Sequence, residues 1–524
     1  MTARRRVPLV LAAPAVVTVG LVLLPLVYLA VRAAGGGERA WRVLLRGSTL
    51  DLVLGTGALV GGVTAAAIAV GVPLAWLVVR TDLPGRRAIA VAAALPLVIP
   101  SYVAALALLG AFGPKGLLQR LLEAPFGVER LPEIYGYGGA LVALTLSTYP
   151  YVFLLAASAL RGQDASLEEA ARGLGETQLG VFRRVTLPGL RPAIGASGLL
   201  VALYALSDFG AVSLMQYDAL TRSIFVQYRS LFDRTPAAVL SLVLVALTGI
   251  VLALEARSRR GVFHRSGAGA QRQPARMPLG RWRWPALAFC TLVLGVFLVV
   301  PVVVLVYWAA RAQSLDLAWA PAGRSLLASA LAAAGAVFLV LPVAVLAQRH
   351  RRWWTGIVER LSYSGNALPG IVIALSLVFF AANYTPWIYQ SLALLVVAYV
   401  VRFLPQALAG VSSALRAVNP RVEEAARGLG RGPWSVLVTV TLPLVRPGML
   451  AGAALVFLSA MKELPATLLL RPIGFDTLAT EIWKFTSLGS YSRAAPPALL
   501  LIVLSAPLVY LLTVRSGGEA DAPG

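Results

Sequence analysis

The sequence predicts an all-α polytopic membrane protein, and three observations carry that prediction. Hydrophobic residues fill 58% of the 524 positions and charged residues only 13%, with a mean hydropathy of +0.79. So few charges cannot cover a soluble fold of this length, whereas a chain solvated by lipid has no such need. The apolar residues form continuous runs rather than period-two alternation, which selects helices over barrel strands. Landmarks of the first half of the chain also return in the second.

Runs long enough to cross a bilayer (roughly 17–25 residues each) fall at about 8–31, 52–79, 88–112, 138–160, 193–216 and 236–255. A second set falls at about 284–310, 325–347, 363–382, 386–409, 448–470 and 494–514, giving an expectation of about 12 transmembrane helices. Gly, Ala and Pro within these runs fit close helix packing in lipid. Arg4, Arg5 and Arg6 precede the first run, as they would in a secretory signal. Its apolar stretch exceeds the roughly 7–15 residues of such a signal, so a retained helix is expected.

The net charge of +23 suits a nucleic-acid binder at first sight. With a cytoplasmic N-terminus, however, inner loops and tails carry most of the 46 Lys and Arg, and the positive-inside bias accounts for the excess. N-terminus and C-terminus are expected in the cytoplasm, and no nucleic-acid partner is expected. Cys290 is the only cysteine and lies in an apolar run, which leaves no disulfide framework and no cysteine metal site. His264 and His350 stand far apart in basic loops, and no metal site is expected from them.

Residues 257–283 are basic, bear Gly and Pro, and lack periodicity. They read as a cytoplasmic linker, its arginines near anionic headgroups, between halves at 1–256 and 284–524. At an offset of 255, Pro150 matches Pro405, Pro188 matches Pro443, and Arg191-Pro192 matches Arg446-Pro447. Upstream, Leu95-Pro96 pairs with Leu368-Pro369 at 273, and the difference falls in a longer outer loop of the first half at about 113–137. An even number of spans per half makes the repeats parallel, which leaves a path down their interface.

The octapeptide EEAARGLG stands at 168–175 and again at 423–430, each time in an inner loop between the fourth and fifth spans of its half. Ala-Ala favours a helix with almost no side chain, so a partner groove can approach the backbone. The glutamates suit a helix N-terminus and offer a carboxylate to a partner cation. The glycine lets the chain leave the helix, and the later Leu-Pro sets entry to the next helix. A plain amphipathic surface helix explains one copy and explains the doubled spacing poorly.

Read from 164–188 and 419–443, both loops resemble the EAA loop of binding-protein-dependent ABC importer permeases. The matching residues are Glu169, Ala170, Ala171, Gly175, Leu187 and Pro188, then Glu424, Ala425, Ala426, Gly430, Leu442 and Pro443. Val185 and Val440 replace the usual isoleucine. The resemblance implies a type I importer permease of MetI-like fold whose EAA helices dock two copies of a cytoplasmic ABC ATPase. It also implies a periplasmic or lipid-anchored substrate-binding protein and a bacterial inner-membrane location. No G-x-x-x-x-G-K-[ST] loop occurs in the chain, so no catalytic role is expected; ATP and Mg belong to the partner, and this chain binds no cofactor of its own.

Four segments, at 95–108, 135–161, 206–225 and 461–483, resemble bacterial ferric-iron permeases, KELPATLLLRP most of all. Thiamine permeases share the fused plan; polyamine, sulfate and phosphonate permeases share the fold. Asp208, Lys462 and Glu463 are the candidate pathway or gate residues, because ionisable groups within apolar spans face a bundle interior or a water path. Asp208 and Glu463 are equivalent at the 255 offset. Lys462 either neutralises Asp208 across the pseudo-twofold axis or lines the path. Tyr102, Tyr149 and Tyr151 are admissible oxygen contacts for a hard cation, and equally interfacial anchors. A 12-helix secondary transporter is the rival class, since twelve spans in two parallel six-helix repeats describe it too. The basic loop RTDLPGRRA at 80–88 adds only a weak signal, because positive-inside bias fills such loops with arginine and RHRRWWTG in the second half lacks the pattern.

Overall fold

The computed structural model describes residues 9–114, 116–128, 130–230, 234–260, 276–312, 318–350 and 352–518. Most of the linker, 261–275 with His264, lies outside the described residues, as do Arg4 to Arg6. Among the described residues the chain is helical, with no strand and one isolated bridge, Thr81 to Met277.

The first half runs through α1 (Leu9–Ala34), α2 (Gly47–Arg80), α3 (Ser101–Phe112), α4 (Tyr137–Arg161), α5 (Ala165–Gly173), α6 (Leu187–Ser207), α7 (Gly210–Leu214) and α8 (Thr235–Arg260). The second half repeats the plan. Its elements are α9 (Val300–Ala309), α10 (Trp319–Arg349), α11 (Gly370–Tyr384), α12 (Leu392–Ala417), α13 (Pro420–Gly428), α14 (Leu442–Met461), α15 (Pro465–Leu470) and α16 (Tyr491–Gly518). Among the described residues eleven helical stretches are long and apolar enough to cross a membrane; α11, at 15 residues, is a shorter apolar helix at the ninth expected position.

Three expectations are corrected by the backbone. The third and ninth runs are not continuous helices. Each contains a 3₁₀ turn, Leu95–Val98 or Ser364–Ala367, then an extended pair ending in Pro100 or Pro369, from which α3 or α11 starts. The residue before proline is pushed out of the helical region, and the extended Ile99 and Leu368 show that effect. The true partner of Leu368-Pro369 is therefore Ile99-Pro100, at an offset of 269. Pro96 lies within a 3₁₀ turn instead, so matching Leu-Pro letters paired different backbone roles.

The third correction concerns the fifth spans. Helices α6 and α14 stop at Ser207 and Met461 instead of running on to 216 and 470. Asp208 Oδ1 accepts from the amide of Ala211 at 2.9 Å, and Glu463 Oε1 from that of Ala466 at 3.2 Å. Carboxylates that cap a following turn compete with continuation of the preceding helix.

Prolines also explain the π turns. Phe182–Thr186, Leu437–Thr441 and Gly295–Val299 are each followed, two residues on, by Pro188, Pro443 or Pro301. A proline ring removes one amide and crowds the carbonyl four residues back, and a wider turn relieves both.

Two buried cores each draw on both halves. One joins α2, α3 and α4 to α9 and α16; the other joins α1 and part of α8 to α10, α11, α12 and α14. The first helix of each half thus packs on the opposite half. Trp308 Nε1 of α9 donates to the Gly110 carbonyl of α3 at 2.9 Å, and Ser376 Oγ of α11 donates to the Pro25 carbonyl of α1 at 3.0 Å.

Candidate functional site

Both copies of the octapeptide form short helices, α5 and α13, with the same caps. Asp164 Oδ1 accepts from the Ser166 amide, and Asn419 Oδ1 from the Arg421 amide, both at 3.0 Å. At the other end the Glu176 amide reaches the Ala171 carbonyl at 3.1 Å, and the Gly175 amide the Arg172 carbonyl at 2.9 Å. Arg431 to Ala426 and Gly430 to Arg427 repeat this Schellman pattern at 3.2 and 3.0 Å. It requires the left-handed backbone found at Gly175 (φ 86°) and Gly430 (φ 81°).

Glu169, Ala170, Glu424 and Ala425 are exposed, and Ala171 and Ala426 half-buried. Leu174 and Leu429, at 87% and 84% exposure, stand beside them. Leu167 and Val422 are exposed as well, so each helix presents a carboxylate, a flat alanine surface and two large apolar side chains, a combination suited to a partner groove.

The adjacent glutamates face the other way. Glu168 is buried, with Oε1 3.0 Å from Arg80 Nη2 at the end of α2 and accepting from Thr186 Oγ1 at 2.9 Å. Glu423 is buried likewise, with Oε1 2.9 Å from Arg349 Nε at the end of α10 and accepting from Thr441 Oγ1 at 3.2 Å. Arg80 also donates to Gln163 Oε1 at 2.9 Å; Arg349 donates instead to the carbonyls of Leu415 and Val418, each at 3.2 Å. Arg172 and Arg427 stand on the outer side of each carboxylate at 3.9 and 3.5 Å.

At the helix breaks the structure separates residues that the sequence placed together. Ser101, the first residue of α3, donates to Asp208 Oδ2, while the Ala211 and Val212 amides approach Oδ1 at 2.9 and 3.4 Å. Glu463 pairs instead with Arg402 of α12, Nη1 to Oε1 at 3.0 Å. Gly370 at the start of α11 makes room for that pair, since a Cβ there would lie 1.3 Å from Arg402 Nη1. Lys462 does not pair with Asp208. Its Nζ donates to the Leu97 carbonyl of the first half's 3₁₀ turn at 2.8 Å, joining the two halves. Among the described residues no group of three or more His, Cys, Asp or Glu could hold a metal ion. Tyr102, Tyr149 and Tyr151 lie inside the helix bundle, the first two fully buried, rather than at its ends.

Sequence reading missed Arg80, Glu168, Arg349, Glu423, Ser101, Arg402 and Gly370 as partners. A signal existed for four of them: Glu168 and Glu423 open the repeated octapeptide, and Arg80 and Arg349 are 269 apart, as are Pro73 and Pro342, but basic residues at inner span ends are ordinary.

The fold and site define a polytopic membrane protein of two equivalent halves, each presenting one capped, exposed helix tied to its own bundle. The chain belongs to the family of binding-protein-dependent transport system inner membrane components, whose profile matches residues 67–263 and 340–514. It is 34% identical to the Fe(3+)-transport system permease protein FbpB 2 of Haemophilus influenzae, over 95% of this chain and 96% of that protein. It is 22% identical to the ferric transport system permease protein FbpB of Actinobacillus pleuropneumoniae, over 79% of this chain and 64% of that one. The molybdenum transport system permease protein ModB of Mycobacterium bovis is 29% identical over 46% of this chain and 90% of its own length.

Proposed function

We propose that this chain is the permease of an ATP-driven importer for ferric iron. It receives cargo from a substrate-binding protein and is powered by two copies of a separate cytoplasmic ATPase. The observation that carries the reading is the duplicated docking helix: α5 and α13 share caps, exposed carboxylate and buried anchor. Two equal helices fit two equal partner grooves. The iron assignment is supported by the Haemophilus relative, which is named as an Fe(3+)-transport permease and whose length this chain nearly fills.

In this reading the protein is an inner-membrane permease with both termini cytoplasmic, α5 and α13 facing the ATPase, and residues 257–283 linking halves at 1–256 and 284–524. The breaks at Asp208 and Glu463 then lie toward the outer ends of α6 and α14, where cargo arrives, with Lys462 closing the seam between halves. Hydrolysis stays with the partner, which uses ATP and Mg, and this chain holds no cofactor. Iron is cargo, and two carboxylates already satisfied by Ser101 and Arg402 suit passage better than tight capture.

The test is ATP hydrolysis by the reconstituted complex. Iron-loaded binding protein should stimulate it, and thiamine- or polyamine-loaded proteins should not. Stimulation by another cargo alone would move the substrate assignment. Transport that survives a disabled ATPase and collapses with the proton gradient would instead identify a secondary transporter.

A further inference from the structure

We infer that the buried pairs Arg80–Glu168 and Arg349–Glu423 are positioning joints that carry movement of the docking helices into the membrane helices. The inference rests on the reading above, in which α5 and α13 receive the ATPase.

Three elements meet on each carboxylate. Glu168 lies on the docking helix, Arg80 ends α2, and Thr186 ends the π turn that leads into α6. Glu423, Arg349 and Thr441 reproduce the set. Taking charges out of water is costly, and apolar residues of similar size would hold the elements together as well or better. What a hydrogen-bonded pair adds is direction: it fixes one placement of three helices, where an apolar contact tolerates sliding.

Neighbouring residues divide the work. Glu168 points inward and is 5% exposed, while Glu169, about 100° further round the helix, is exposed. A partner that seizes the exposed face turns the buried carboxylate with it. The force arrives at Thr186 or Thr441, the last residue of a π turn. Such a turn holds an extra residue and absorbs displacement by moving its bulge rather than by breaking the helix.

The two halves supply an internal comparison. At the joints they carry the same residues, Arg80 and Arg349, Glu168 and Glu423, Arg172 and Arg427, Thr186 and Thr441. At the helix breaks the equivalent positions differ: Ser101 and Gly370, Ser147 and Arg402, Ser207 and Lys462, Asp208 and Glu463. Chemistry is duplicated where both halves would serve identical partners, and diverges where one cargo passes between them. The first joint has an extra brace, because the Met277 amide donates to the Arg80 carbonyl at 2.8 Å and the Leu279 amide to Asp82 Oδ1 at 2.9 Å.

The experiment uses the complete complex in proteoliposomes, with Arg80→Met, Glu168→Gln and the exchange Arg80→Glu/Glu168→Arg. Iron moved per ATP hydrolysed should fall about tenfold, a larger loss than any loss of co-purified ATPase, and the exchange should recover part of it. Unchanged iron per ATP, or loss of bound ATPase in step with transport, overturns the joint. A second readout needs no ATPase: spin labels at Leu174→Cys and Arg87→Cys in a Cys290→Ser permease. Their distance distribution should be narrow, and Glu168→Gln should broaden it; no broadening also overturns the joint. If the wild-type complex hydrolyses no ATP in response to binding protein, the functional reading fails, and the labels still judge the joint.

Discussion

Gly370 shows how a single missing side chain decides local chemistry. Its hypothetical Cβ would lie 1.3 Å from Arg402 Nη1 and 2.6 Å from Glu463 Oε1. Gly370→Ala should therefore force the Arg402 guanidinium to shift and weaken its pair with the buried carboxylate, a loss of about 1–3 kcal/mol. Thermal unfolding in detergent should show a clear drop in Tm; an unchanged Tm would mean the ion pair relocates without cost. Gly175 makes a different point, because its φ of 86° is a backbone requirement rather than a spatial one. Gly175→Ala should cost about 1–2 kcal/mol of docking-helix stability and weaken ATPase co-purification. Gly173→Ala is the control: that position is helical and open, so binding should hold or improve. The sequence identified both Gly175 and Gly430 by motif, but Gly370 has no motif. Its role depends on an arginine 32 positions away in the chain.

At the scale of elements, proline placement governs the helices that matter. Pro188 and Pro443 follow π turns whose last residues hold the buried glutamates. Pro188→Ala restores the missing amide and lets Phe182–Thr186 relax toward an α path, which turns Thr186 away from Glu168. Uptake should fall while the ATPase stays bound, measured as transport against co-purification; parallel loss of both would point to a collapsed docking site instead. The spans themselves were legible as apolar runs, and α5 and α13 as a repeated motif with a glycine exit, though not their N-caps Asp164 and Asn419. The breaks were not. A run such as 193–216 reads as one helix because its composition is uniform, and only the capping of Ala211 by Asp208 shows where it ends. Likewise, the letters Leu-Pro do not reveal whether a proline sits inside a turn, as Pro96 does, or ahead of a helix, as Pro369 does.

For the whole molecule, the two halves are interlocked by exchanging their first helices. Trp308→Phe removes a buried donor from the Gly110 carbonyl, leaves that carbonyl unpaired, and should cost about 1–3 kcal/mol. A lowered Tm with both docking helices still competent would confirm that this contact ties halves rather than sites. Docking itself should be additive. Glu169→Ala or Glu424→Ala alone should reduce bound ATPase in part and the double variant further, read from the subunit ratio of the purified complex. Undiminished assembly in the double variant would defeat the docking assignment.

Composition by itself determined that this chain lives in lipid, because so few charges exclude a water-covered surface. Repeated landmarks determined two parallel halves, each with one short helix that a glycine closes, since local propensity and capping act within a few residues. Tertiary structure alone decided which ionisable groups are partners. Asp208 meets Ser101, Glu463 meets Arg402, Lys462 reaches across to Leu97, and Glu168 rather than Glu169 anchors α5. Those pairings join residues 61 to 365 positions apart, and such distances are closed by helix packing, which leaves no signature in local sequence.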